Sequence, residues 1–150
     1  MTTRRAFLAA AAAAAGALCR PAFAAPDAPT PALRDIAAAQ GLLYGSYLDY
    51  WDLHSQPDYE ALAARECGLM VSARMDWDHL APGPGATRFT EVDQDYDWAR
   101  SHDMKFRGHA LVWGERAPPW FAAWPASAAA VAALEKHVSA VCRHFAGRVQ

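Results

Sequence analysis

Lys105-Phe106-Arg107-Gly108-His109-Ala110-Leu111-Val112-Trp113 follows Met104 in the 150-residue chain. Read as a strand from Met104 to Trp113, the run alternates with period two, which puts His109, Leu111 and Trp113 on one face near its C-terminal end. Helical signals flank it. Upstream, Thr90 with Asp93 three residues later predicts a capping box opening a helix to about Ser101. Downstream, Ser127 caps a helix whose Val131, Leu134, Val138, Val141 and Phe145 follow the three-four spacing of one buried face. Gly147 ends that helix, and Val149 begins a fourth strand.

The same alternation extends toward the N-terminus. Thr30 and Pro31 open a helix through Gln40, stopped by Gly41; Leu42 to Leu48 then reads as a buried strand in which Gly45 permits close backbone approach. A Ser55/Asp58 capping box predicts a helix to Cys67, stopped by Gly68, and Leu69-Met70-Val71 is strand-like. Ala81 to Gly85, with Pro82 and Pro84, is a loop. Strands alternating with helices argue for parallel βαβ units. No Gly-x-Gly-x-x-Gly follows a strand, so a barrel fits better than a dinucleotide-binding sheet. The expected class is α/β, of (β/α)8 TIM-barrel type but incomplete, with about the first three βα units, since such a barrel takes about 250 residues.

Composition bounds the function. With 14 basic and 16 acidic groups and 53% hydrophobic residues, the chain is neither disordered nor a polybasic nucleic-acid binder. Six Trp, five Tyr and six Phe supply a core and also flat faces for ring-shaped ligands. Arg4 and Arg5, an apolar run to Leu18 and the small-residue pattern Ala22-Phe23-Ala24 predict a twin-arginine export signal over residues 1–24, followed by a Pro-rich linker at 25–30 and the domain at 31–150. The apolar run is about 13 residues, short of the roughly 20 that span a bilayer, so no membrane association is expected after its removal. The competing reading is an Ala-rich cytoplasmic helix or a retained anchor. A lipoprotein through Cys19 is disfavoured by the bulk of Leu18. An exported, periplasmic or secreted protein permits a Cys67–Cys142 disulfide, although each Cys also suits a small buried apolar position. His137, Cys142 and His144 lie close in sequence, but Cys142 and His144 point to different helix faces, and no metal or other cofactor is expected.

Arg107-Gly108-His109-Ala110-Leu111-Val112-Trp113, the Pro119-Trp120 that follows, and Leu33-Arg34-Asp35-Ile36-Ala37 leading to Tyr44-Gly45 resemble the N-terminal part of glycoside hydrolase family 10, the endo-1,4-β-xylanase family. The resemblance runs from about Leu33 to Gln150. It implies a barrel that hydrolyses xylan-type polysaccharide with retention, through one Glu after the fourth strand and another after the seventh. Both positions would lie past Gln150, so no catalytic residue is expected here, and the isolated chain is expected to be inactive. What carries over is substrate binding by His109 and Trp113, with Arg116 beside them in the third loop. An imidazole there can hydrogen-bond a hydroxyl while an indole stacks on a sugar ring; the plainer reading of the pattern is a core His and a core Trp.

Two stretches depart from the family. Where its Pro-Glu-Asn and Lys-Trp are usual, Val71-Ser72-Ala73-Arg74-Met75-Asp76-Trp77 lacks the Glu and Asn and replaces Lys with Asp76. Each buried sugar-hydroxyl interaction left unmade should cost about 1 to 3 kcal/mol. After Val112-Trp113, Gly114 and Arg116 replace His and Gln. Glu115 and Asp76 fall at the rim as ordinary loop charges or as acid/base groups. Asp93, Asp95 and Asp97 mimic a calcium loop but read as first-turn helix acids, since Trp98 and Met104 occupy the positions needing Gly and Glu. The alternative function is a non-catalytic exported carbohydrate-binding protein built on a truncated barrel.

Overall fold

Three short runs rich in Leu, Met, Val and Phe pair as parallel strands: β1 (Gly45–Leu48), β2 (Leu69–Ser72) and β3 (Lys105–Arg107), in the order β1-β2-β3. The structure is a computed structural model and describes residues 30–150, of which Pro31–Gln150 form one unit. The export signal falls outside the described residues. Register sets Gly45 beside Leu69 and Leu69 beside Lys105, and likewise Met70 beside Phe106. Because side chains alternate, Leu48, Met70, Ser72 and Phe106 turn to the face covered by helices and are buried. Tyr47, Val71 and Arg107 share the other face, which lines a concavity.

The helices follow from local chemistry. α1 (Leu33–Ala38) has no side-chain cap at Ala32; Glu66 satisfies its first turn instead, with Oε2 accepting from Leu33 N at 2.6 Å. Thr30 is therefore not its cap. In place of one helix opened by Ser55, α2 (Tyr50–Ser55) and α3 (Pro57–Glu66) are separate. Proline disfavours helical geometry in the residue before it, and Gln56 is extended at φ −120°. Asp49 caps α2, while Ser55 Oγ donates back to the Trp51 carbonyl at 2.5 Å.

Beyond β2, a 3₁₀ turn (Ala73–Met75) leads into α4 (Trp77–Leu80), and α5 (Thr90–Ser101) carries the chain to β3. Thr90 lies inside α5, whose capping residue is Phe89 without a side-chain bond, so the Thr90/Asp93 box does not form. Asp93 instead accepts from His144 at 2.7 Å and Arg148 at 3.1 Å. A second 3₁₀ turn (Gly114–Arg116), α6 (Pro119–Ala122) and α7 (Ala128–His144) follow. Ser127 caps α7, with Oγ accepting from Ala130 N at 3.3 Å. Of its expected face, Val141 and Phe145 are buried and Leu134 and Val138 half-buried; Val131 is exposed, and His137 is buried beside them.

Two strands are shorter than expected. Leu42, Leu43 and Tyr44 precede β1 and are exposed, because β1 has a neighbour on one side only among the described residues. β3 stops at Arg107, opposite Val71 and one residue short of the point where β2 itself ends at Ser72 and turns into the 3₁₀ segment. Past Gly147, Gln150 N donates to the Phe106 carbonyl at 3.0 Å, so the chain returns to the free edge of β3 where the fourth strand was expected to start.

Candidate functional site

Polar side chains from all three strand-end segments meet at the C-terminal edge of the sheet. Tyr47, at the end of β1, donates from its hydroxyl to Asp76 Oδ2 at 3.3 Å. Asp76 is buried, and the same oxygen accepts from Arg116 Nε at 3.2 Å. Arg116 Nη1 also pairs with Asp78 Oδ2 at 3.4 Å. His79 Nδ1 donates to the Ala73 carbonyl at 3.0 Å, which leaves Nε2 as acceptor for Arg116 Nη2 at 3.3 Å. One guanidinium thus clamps the loop after β3 onto the loop after β2. Partial burial, and then the Asp76 carboxylate, push the Tyr47 phenol above its ordinary value, which keeps it a donor.

The sequence places Asp76 and Arg116 forty residues apart, and nothing local links them. In space they are partners: an acid at the end of β2 is answered by a base after β3. Asp76, Asp78 and His79 bring ligand atoms within 4.8 Å of one another, a spacing that suits a cation, but the Arg116 guanidinium already bonds all three. His137, Cys142 and His144 do not converge: His137 is engaged with Leu111 and His144 with Asp93. Cys67, buried, and Cys142, exposed, are both free thiols, and burial raises the Cys67 pKa.

His109, Leu111 and Trp113 do not share one face. With the ladder ended at Arg107, the backbone leaves the sheet, and Leu111 packs against the core. His109 is exposed and lines the concavity beside Tyr47, Val71 and Arg107, which encloses about 420 Å³. Trp113, just before the second 3₁₀ turn, is 47% exposed and makes no ring contact among the described residues. Glu115 is exposed in that turn.

Below the rim, sequence reading missed a buried network. Asp95 is not a first-turn acid; one turn into α5 it faces β2 and is fully buried. Ser72 Oγ donates to its Oδ2 at 2.5 Å, and His54 Nε2 donates to its Oδ1 at 3.0 Å. Burial raises the Asp95 pKa against the opposing pull of Ser72, His54 and Arg74. From its ordinary value of 3.8 up to the raised native value, the folded chain binds more protons than the unfolded chain, so stability falls as pH rises through that window. Asp95→Asn should remove this slope and change stability at pH 7 by about 1 kcal/mol or less. Urea midpoints of both proteins across the acid range check it; parallel profiles would show that Asp95 titrates alike folded and unfolded.

Parallel βα units with polar side chains gathered at the strand C-termini form part of a (β/α)8-barrel enzyme fold. Residues 32–150 match the model of Glycosyl hydrolase family 10, and the chain belongs to that family. It is 31% identical over 104 residues to endo-1,4-beta-xylanase B of Thermotoga neapolitana, covering 68% of this chain and 30% of that protein. Among solved structures, xylanase 10B of Thermotoga petrophila in complex with xylobiose superposes with a TM-score of 0.74 at 27% identity, over 81% of this chain and 38% of that one. Xylanase 10C of Cellvibrio japonicus, in complex with xylopentaose, gives 0.68 at 25% identity, over 80% and 25% respectively. The chain spans about a third of the length of these relatives.

Proposed function

We propose that this chain supplies the first three βα units of an exported glycoside hydrolase that cleaves xylan-type polysaccharide with retention, and that these units hold sugar without cutting it. The observation that carries the reading is the family match across residues 32–150, reinforced by relatives whose names and ligands are xylanase and xylo-oligosaccharides. His109 and Trp113 stand exposed beyond β3 and offer an imidazole and an indole to a sugar ring. Retaining hydrolysis needs two carboxyls about 5 Å apart, one protonated and one ionised. At the described rim, Asp76 is shared by Tyr47 and Arg116, so its role is to organise the loops. Export is part of the proposal and is supported by Arg4, Arg5 and the Ala22-Phe23-Ala24 pattern.

The 150-residue chain is expected to release no reducing sugar from xylan, yet to bind xylo-oligosaccharides, with affinity falling about tenfold on Trp113→Ala, a loss of about 1.4 kcal/mol. Xylan turnover by this chain would overturn the assignment of the chemistry to other segments. A second reading, a sugar-binding protein that works as it stands, is favoured by the open concavity beside His109. It predicts that adding the remaining family strands leaves the affinity unchanged.

A further inference from the structure

Every nitrogen of the Arg116 guanidinium has a partner within the protein. Nε donates to Asp76 Oδ2 at 3.2 Å, Nη1 pairs with Asp78 Oδ2 at 3.4 Å and Nη2 donates to His79 Nε2 at 3.3 Å. All three partners lie on one short segment after β2. A planar, permanently charged fork held at three points is fixed in orientation as well as in place.

What hangs on that fork is the turn that carries Trp113. Arg116 N donates to the Trp113 carbonyl at 3.0 Å, closing the 3₁₀ turn Gly114–Arg116, and no side chain caps the turn. Val112, Trp113, Gly114 and Glu115 are all exposed. Nothing lies within 4 Å of a Cβ at Gly114, so the turn is not packed from that side. Leu111 packs against the core before this stretch and Pro118 is buried after it. Between those two anchors, Arg116 is the side chain that ties the loop to the rest of the protein among the described residues. A single 3₁₀ turn has poor hydrogen-bond geometry of its own and needs such a tie.

The other end of the tie reaches the concavity. Asp76 is 2% exposed, and the oxygen that accepts from Arg116 also accepts from the Tyr47 hydroxyl at 3.3 Å. Tyr47 lines the concavity with His109. One buried carboxylate is thus the common anchor of the Trp113 turn and of the wall beside His109.

We propose that Asp76 and Arg116 are positioning residues for sugar binding: neither touches the sugar, and together they hold the Trp113 turn at a set place relative to His109. A ring then meets an indole and an imidazole already arranged, and the cost of ordering the loop is met before binding. The inference rests on the reading of the rim as a sugar site and deepens it, since Arg116 acts through Trp113 instead of bonding a hydroxyl itself.

The test is a double-mutant cycle on the whole chain, with xylotetraose affinity read by calorimetry. Arg116→Met keeps the aliphatic stem and should weaken binding about fivefold, yet should cost nothing further in a Trp113→Ala background. The same factor in both backgrounds would mean that Arg116 bonds sugar directly or that its loss merely loosens the fold, and would overturn the proposal. Arg116→Met leaves the buried Asp76 charge unpaired, so Asp76→Asn/Arg116→Met is the companion variant, with both charges removed and the same loss expected. A readout without sugar completes it. Amide exchange at Arg116 should quicken about tenfold in the companion variant while Met70 and Phe106 in the sheet keep their protection, and unchanged exchange at Arg116 would overturn the proposal. A parent chain that binds no xylotetraose overturns the rim reading and this one with it, whereas equal factors in the two backgrounds overturn this one alone.

Discussion

Trp77→Ala is expected to destabilise the protein by about 3 to 5 kcal/mol, enough to unfold much of a domain of ordinary stability. Trp77 is 1% exposed and packs against three aromatic rings. Its ring stacks on His137 at 4.7 Å and 20°, lies 4.4 Å from Phe121 and meets Trp120 edge on. These contacts join α4, α6 and α7. Truncation would leave a cavity that three separate elements would have to move to fill, which places the cost at the upper end for a core aromatic. Urea unfolding reads it as a midpoint lowered by about 2 M. Trp77→Phe keeps a ring against His137 and should recover roughly half the loss.

A second readout distinguishes lost packing from a general loosening. Burial holds the His137 pKa below its ordinary 6.5. Between that lowered native value and 6.5, the unfolded chain binds more protons than the folded one, so stability rises with pH through the window and is lost as pH falls through it. Opening the site to water in Trp77→Ala lets the imidazole charge more readily, moves its pKa back toward 6.5 and flattens this slope. A midpoint drop with an unchanged slope would mean that Trp77 does not cover His137.

The elements that sequence reading recovered are those specified within a few residues. Ser127 caps α7 because its hydroxyl needs only the amide three positions on. The three strands and their order follow from apolar runs and the helices between them. The two expected capping boxes, by contrast, were local patterns overridden in one case by another local fact, Pro57, and in the other by a tertiary one, the pull of His144 and Arg148 on Asp93. Asp95 and His137 could not be placed in the core from sequence, since an acid and an imidazole count as surface residues until Ser72, His54 and the Leu111 carbonyl arrive from elsewhere in the chain. The Asp76–Arg116 clamp was invisible for the same reason. Read alone, Asp76 is a lost sugar contact and Arg116 a substrate-binding residue; paired, they are a strut between loops.

Gly45 is where the local reading and the tertiary structure agree most closely, and its replacement is expected to cost about 3 kcal/mol or more. A Cβ at Gly45 would stand 2.1 Å from the Leu69 carbonyl oxygen and 2.5 Å from the Leu69 Cβ. Both belong to β2, directly beside Gly45 in the register, so no side-chain rotation relieves the overlap. One strand must move off the other, and the parallel ladder from Gly45 to Leu48 weakens with it. Leu48 and the Tyr47 hydroxyl bond to Asp76 move too, which carries the damage from the sheet to the rim. Gly83→Ala is the control, because nothing lies within 4 Å of a Cβ there, and its effect should stay within about 0.5 kcal/mol. Hydrogen exchange at Ser46 to Leu48 should accelerate in Gly45→Ala and not in Gly83→Ala. Equal midpoints and equal exchange in the two variants would mean that β1 does not lie against Leu69, and the first βα unit would then need a different register.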